Sequence, residues 1–236
     1  MPPKKKQEAE KKILLGRASN TLKMGLVGLP NVGKSTTFNV LSNLSVPAEN
    51  YPFCTIDPAE AKVLVPDRRF ERLCEMYHPK SKVPASISIW DIAGLVKGAS
   101  TGAGLGNAFL SHIQAVDGIF HVVRAFPNEE IIHEEGEIDP IRDMEIINGE
   151  LIAKDQQALV KILAECDVQI KRFNKKEPKD EKEVMEKVGK LFEAGKFVTS
   201  GDWKALEVEF LNKHHFLTAK PIVYLVNIGR DEYITK

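Results

Sequence analysis

Residues Gly28 to Ser35 read GLPNVGKS, a match to G-x-x-x-x-G-K-[ST], set directly after the apolar run LKMGLVGLP (22–30) and directly before GKSTTFNVLSNL. This spacing constrains the fold more than any other feature of the chain. It works only where a strand runs into a tight loop that opens onto a helix, with backbone N–H groups turned toward an anion at the helix N-terminus. Gly28 and Gly33 let the backbone curl around a phosphate. Lys34 reads as a point charge for the β- and γ-phosphates on an exposed loop, and Ser35 as a hydroxyl for Mg2+. The helix that follows presents Phe38, Leu41 and Leu44 on one face.

Four further apolar clusters of strand length are AKVLVP (61–66), ASISIWD (85–91), GIFHVVRAF (118–126) and KPIVYLVN (220–227). Strands rich in Val and Ile that alternate with helices imply an α/β fold with a mostly parallel sheet covered on both sides. From about 141 to 213 the rhythm changes. Ile147, Leu151, Ala158, Ile162, Cys166 and Ile170 fall at three- and four-residue spacing, which predicts one long amphipathic helix. A polar break, NKKEPKDEKE, precedes a second apolar series at Val184, Val188 and Leu191, and GDWKALEVEFLNKHHFLT reads as a shorter helix leading back to the last strand. The pattern predicts a helical, coiled-coil-like hairpin inserted into the α/β domain, with simple packing on the sheet as the other reading. The expected organisation is a basic tail over 1–21, a first domain part over 22–140, the insertion over 141–213 and a returning strand with its loop over 214–236.

Charge is balanced at 33 basic and 33 acidic residues, so no global field argues for nucleic acid or a membrane surface. Cys54, Cys74 and Cys166 are widely spaced and form no metal pattern, which suits a reducing compartment. No run approaches the roughly 20 apolar residues of a membrane span, and the lysine-rich start MPPKKKQEAEKK lacks an apolar stretch behind it. A cytoplasmic protein is expected, without membrane or sequence-specific DNA among its partners. The tail reads as a solvated end or as a weak docking arm for anions.

Asp91 closes the apolar strand of DIAGLVKG (91–98), where a carboxylate can reach Mg2+, and Gly94 leaves room for a backbone N–H on the γ-phosphate. The residue after this DxxG is Leu95, where P-loop switch proteins usually carry a water-orienting glutamine. Thr55, in the loop YPFCTIDP, reads either as the hydroxyl that closes over Mg2+ or as a turn residue. Asn31 reads either as a loop-shaping residue or as a side-chain carbonyl for a monovalent cation, K+. After the last strand stands Asn227-Ile228-Gly229-Arg230, where guanine-specific members of this class carry Asn-Lys-x-Asp. Arginine has donors only and cannot accept the two hydrogen bonds of guanine, so adenine is favoured.

Taken together, GLPNVGKST, NYPFCTIDP, DIAGLVKGAS with GxGLGNAFLSHI behind it, and IDPIRDMEII resemble the Obg-like ATPases, the YchF subfamily of the translation-factor-related P-loop NTPases. The likeness runs from about Leu22 to the end. It implies a G domain interrupted by a coiled-coil insertion, ATP favoured over GTP, hydrolysis with Mg2+, and an association with ribosomes. The other readings are a nucleotide-binding adaptor that holds a protein partner at the insertion with incidental hydrolysis, or a GTPase. It implies a hydrophobic residue in place of the glutamine, which Leu95 matches, and nucleotide contacts from Asn31, Val32, Gly33, Lys34, Ser35, Thr36, Gly94, Phe126, Asn227 and Ile228. Ser35, Thr55 and Asp91 fall at the metal, and Lys34 and Asn31 at the reacting phosphates. For the water it points to His133 in NEEIIHEEG; the residues alone also read as a surface histidine paired with Glu134 and Glu135. The family's C-terminal TGS domain has no counterpart in this sequence, so the chain is expected to be an N-terminal portion. Arg230 stands where the family usually has glutamate.

Overall fold

The computed structural model describes residues 14–16, 21–42, 60–92, 105–128, 130–173 and 176–235. Thr55, Gly94, Leu95, Leu44 and the tail before Leu14 lie outside the described residues. Five strands form one sheet: β1 (Leu22–Val27), β2 (Glu60–Leu64), β3 (Ser86–Asp91), β4 (Gly118–Arg124) and β5 (Ile222–Asn227). Their order is β2-β3-β1-β4-β5, and all neighbours run parallel except β2, which pairs antiparallel with β3. β1 therefore sits at the centre, with the chain wound outward on both sides of it. Ligands of open α/β sheets bind beyond the carboxyl ends of the strands at such a reversal, which is where GLPNVGKS begins.

Helix α1 (Lys34–Ser42) follows β1, and α3 (Leu105–Ala115) precedes β4. Leu26, Leu29, Ile89, Leu110, Ile113, Ile119 and Val122 fill the core between sheet and helices, with Phe38 and Leu41 of α1 packed against it. Helix α2 (Arg68–Tyr77), whose bounds the alternation of strands and helices in the sequence leaves open, joins β2 to β3. Asp67 caps it by accepting the Arg69 N–H at 2.9 Å, and His78 ends it in the left-handed conformation at φ 44.

The long amphipathic pattern forms α4 (Pro140–Phe173), about 50 Å of helix. Helix α5 (Lys176–Glu193) returns beside it, and α6 (Ala205–His214) leads to β5. The expected polar break over NKKEPKDEKE is a correction: α5 begins inside it, at Lys176. Pro178 is tolerated because the N–H groups of a first helical turn have no intrahelical acceptor to lose. The two helices are antiparallel, since Lys182 meets Asp167 at 2.7 Å while the later Gly189 faces the earlier Leu159. Ile147 and Leu151 of α4 join the sheet's core, whereas Ile152 and Leu159 pack with Val184, Met185 and Val188 of α5 and Leu211 of α6. The helices thus both lean on the sheet and bury a second cluster among themselves. Asp155 of α4 ties that cluster to the 3-10 turn before β5, accepting from the Leu217 and Thr218 N–H groups at 3.0 and 2.8 Å and from the Thr218 hydroxyl at 2.7 Å. Among the described residues no helix is long and apolar enough to cross a membrane.

Candidate functional site

The loop after β1 is held from three sides. Leu29 and Val32 anchor it in the core. Gly28 passes so close to β4 that a Cβ would lie 2.4 Å from the Val122 carbonyl oxygen, so no larger residue fits. Gly33 has φ 103, and a Cβ there would meet Asn227 Nδ2 at 2.5 Å. That amide donates to the Val32 carbonyl at 3.1 Å, so Asn227, at the end of β5, braces the loop from the same end of the sheet. Asn31 takes the left-handed conformation at φ 60, which Asn tolerates better than most residues.

The expectation of Lys34 as an exposed point charge is corrected. It is the first residue of α1, only 8% exposed, and its Nζ donates to the Leu29 carbonyl at 2.8 Å. The side chain folds back across the loop it belongs to. Burial pulls its pKa down from the ordinary lysine value, and the nearby Asp91 charge opposes that. Ser35 Oγ donates to Asp91 Oδ2 at 3.0 Å, bringing together two metal candidates that are 56 residues apart in sequence. Two hard oxygens from separate elements suit Mg2+, which takes most of its ligands from water and phosphate. Among the described residues no cluster of three His, Cys, Asp or Glu offers a competing metal site. Thr36 is exposed at the start of α1, and Thr37 closes the first turn on the Gly33 carbonyl through both its N–H and its hydroxyl, each at 2.9 Å.

The segment after β4 lies against this loop. Asn31 Nδ2 donates to the Ile132 carbonyl at 3.2 Å. Phe126 is half-buried, with the Arg124 guanidinium 4.8 Å from its ring centroid. His133 is not the surface residue that one sequence reading described. It is buried, and its Nε2 lies 2.8 Å from Asp143 Oδ2 of α4 rather than on Glu134 or Glu135. Its Nδ1 accepts the Glu135 N–H at 3.2 Å, so the imidazole proton belongs on Nε2, donated to Asp143. Arg142 Nη2 reaches the other oxygen of Asp143 at 3.3 Å. In this arrangement the ring is turned inward, one residue from the carbonyl that touches Asn31.

At the adenine candidate loop, Ile228 is half-buried and Arg230 opens the short helix α7 (Arg230–Ile234). Glu232 accepts the Gly229 N–H at 3.1 Å, and Asp231 is exposed. Three residues of the site were not foreseen in these roles: Asn227 as a brace of the phosphate loop, Asp143 as the partner of His133, and Arg124. Arg124 carries no motif that could have marked it, because its partners are backbone carbonyls.

The sequence profile of the 50S ribosome-binding GTPase family matches residues 23–190. The chain belongs to that family. Within it, the chain is similar to "Obg-like ATPase 1" of Oryza sativa subsp. indica, 55% identical over 239 residues, covering 100% of this chain and 61% of the rice protein. "Obg-like ATPase 1" of Homo sapiens is 53% identical over 239 residues, with 100% of this chain and 60% of the human protein covered. The solved structure of the Schizosaccharomyces pombe YchF GTPase superposes with a TM-score of 0.80 at 50% identity, over 95% of this chain and 61% of that one. This Obg-like chain therefore spans about three fifths of the length of the curated relatives it matches. It has the P-loop NTPase fold of the Obg and YchF proteins, and the relatives' names divide between ATPase and GTPase.

Proposed function

We propose that this Obg-like chain binds a nucleoside triphosphate with Mg2+, ATP in preference to GTP, and hydrolyses it to diphosphate and phosphate as a switch that works with ribosomes. The observation that carries the reading is the Ser35–Asp91 contact at 3.0 Å, at the mouth of a glycine loop whose lysine is already folded inward. Ser35 and Asp91 would hold Mg2+ there, and the ion would supply neutralisation of phosphate charge. The chain's own groups do the rest: N–H groups of the loop and α1 face the phosphates, and Lys34 exchanges its carbonyl partner for them. The preference for ATP rests on Arg230, which has no acceptor to offer guanine. The ribosome enters by the family's description alone.

For the attacking water, His133 is proposed to leave Asp143 and turn toward the γ-phosphate when triphosphate is bound, since its segment already touches the phosphate loop through Ile132. His133→Ala should then lower single-turnover hydrolysis by ~100-fold or more while leaving ATP affinity unchanged. A wild-type rate in that variant would return the histidine to a packing role. Asn31, whose Nδ2 is committed to Ile132, keeps Oδ1 for a monovalent cation, and faster turnover in K+ than in Na+ at equal ionic strength is expected. Equal rates would remove the cation.

A second reading is an adaptor whose helices hold a protein. It is favoured by the groove between α5 and α6, where the apolar Val184, Leu206 and Phe210 are flanked by Glu177, Asp180, Glu183 and Glu207 against Lys187 and Lys204, an excess of acid that suits an amphipathic segment of net positive charge. Single-turnover hydrolysis with and without ribosomes separates the two. A rate that ribosomes change supports the switch, and an unchanged rate supports the adaptor.

A further inference from the structure

Arg124 is 1% exposed, stands at the last position of β4, and has no carboxylate partner among the described residues. Among the described residues its charge is met by backbone acceptors. Nε donates to the Phe126 carbonyl at 3.2 Å, Nη2 to Asn128 at 3.0 Å and Nη1 to Ile131 at 3.0 Å, while the guanidinium lies over the Phe126 ring. One rigid fork thus reaches the beginning, middle and end of the loop 126–131. Burying a guanidinium is expensive, and a core strand could fill the same volume with an apolar residue more cheaply. What an apolar residue could not do is fix the loop's conformation. The next residue, Ile132, supplies the carbonyl that accepts Asn31 Nδ2 at 3.2 Å. Arg124 is also the register partner of Asn227, whose amide braces Val32, so the ends of β4 and β5 hold the phosphate loop from adjacent points.

We propose that Arg124 is a positioning residue of the phosphate site: it shapes the loop 126–131 so that the Ile132 carbonyl captures Asn31 and fixes the phosphate loop before any ligand arrives. This rests on the nucleotide reading above only for its consequence, since the connection itself exists without ligand. The fork is essential to it. A lysine keeps the charge, but its ammonium is a single point and cannot span three carbonyls set apart along a loop.

The test uses the full chain with Arg124→Gln, Arg124→Lys, Asn31→Ala and the double variant Arg124→Gln with Asn31→Ala. The first readout is the side-chain amide resonance of Asn31 in nucleotide-free protein. It is expected to move to the position of a solvent-exposed amide in both Arg124 variants, and an unmoved signal would overturn the proposal. The second is the Kd for Mg2+-ATP. Arg124→Gln should weaken it by ~10-fold in the parent but by less than ~3-fold once Asn31 is alanine, the mark of residues acting through one connection. Equal factors in both backgrounds would overturn the proposal, as would full affinity in Arg124→Lys. Loss of the cooperative melt in both single Arg124 variants would make Arg124 a folding residue and likewise overturn it. If the parent binds no triphosphate yet the Asn31 amide still shifts, the connection stands and the nucleotide reading falls.

Discussion

Lys34 stores its charge in the protein before a phosphate arrives. Its Nζ is bonded to Leu29 at 2.8 Å and largely shielded from water, so on the proposed reading a triphosphate would replace one acceptor with a stronger, charged one instead of drawing a hydrated ammonium out of solvent. Lys34→Ala should therefore abolish tight triphosphate binding. It should also cost about 1 kcal/mol of stability, because the Leu29 carbonyl is left without its partner in a shielded place. Calorimetric titration with Mg2+-ATP alongside thermal melting checks both, and retained tight binding would refute the phosphate role of the loop. The motif residues were legible at this scale because their chemistry demands fixed types at fixed spacing. Arg124 and Asp143 were not. The first reads as an ordinary charge at the end of a strand, the second as an acid in the first turn of an amphipathic helix, and each is defined by partners that the fold brings in.

Strand β4 carries a buried imidazole that the site does not use. His121 is 1% exposed, its ring 5.3 Å from that of Tyr224 across β4 and β5, and among the described residues its Nδ1 has no hydrogen-bond partner. Burial pulls its pKa down to about 4. The unfolded chain takes up a proton near the ordinary value of 6.5 while the folded chain does not, so this contribution to stability is complete above pH 6.5 and is lost as pH falls toward 4. Asp155 acts in the opposite sense. Burial raises its pKa from 3.8 to about 6, so its contribution is present below 3.8 and lost as pH rises through 6. Chemical denaturation of the parent and His121→Phe at several pH values isolates the histidine. Phenylalanine keeps the stacking, and its advantage over the parent should grow by up to about 3 kcal/mol between pH 7 and pH 4. A constant difference would mean that His121 charges freely in the fold. The strands were legible as elements because Val- and Ile-rich runs between turns have few alternatives. The start of α5 was not, because KEPKDEKE hides its helical period under charge and a first-turn proline imitates a breaker.

Over the whole molecule, one principle joins sheet and site: the central strand hands its chain to the phosphate loop, and the ends of β3, β4 and β5 deliver Asp91, Arg124 and Asn227 to the same edge. The sheet order makes this possible, since β1 has a neighbour on each side and both neighbours end beside the loop. The long helices bury a second cluster among themselves, and the apolar pattern that announced them did not mark Asp143, the one acid of α4 that meets His133. The most direct measurement is equilibrium titration of this chain with Mg2+-ATP and Mg2+-GTP. ATP should bind more tightly, with both affinities lost when Lys34 is replaced by alanine. A chain that binds neither nucleotide, or that prefers GTP by tenfold, about 1.4 kcal/mol, would contradict the reading of the site.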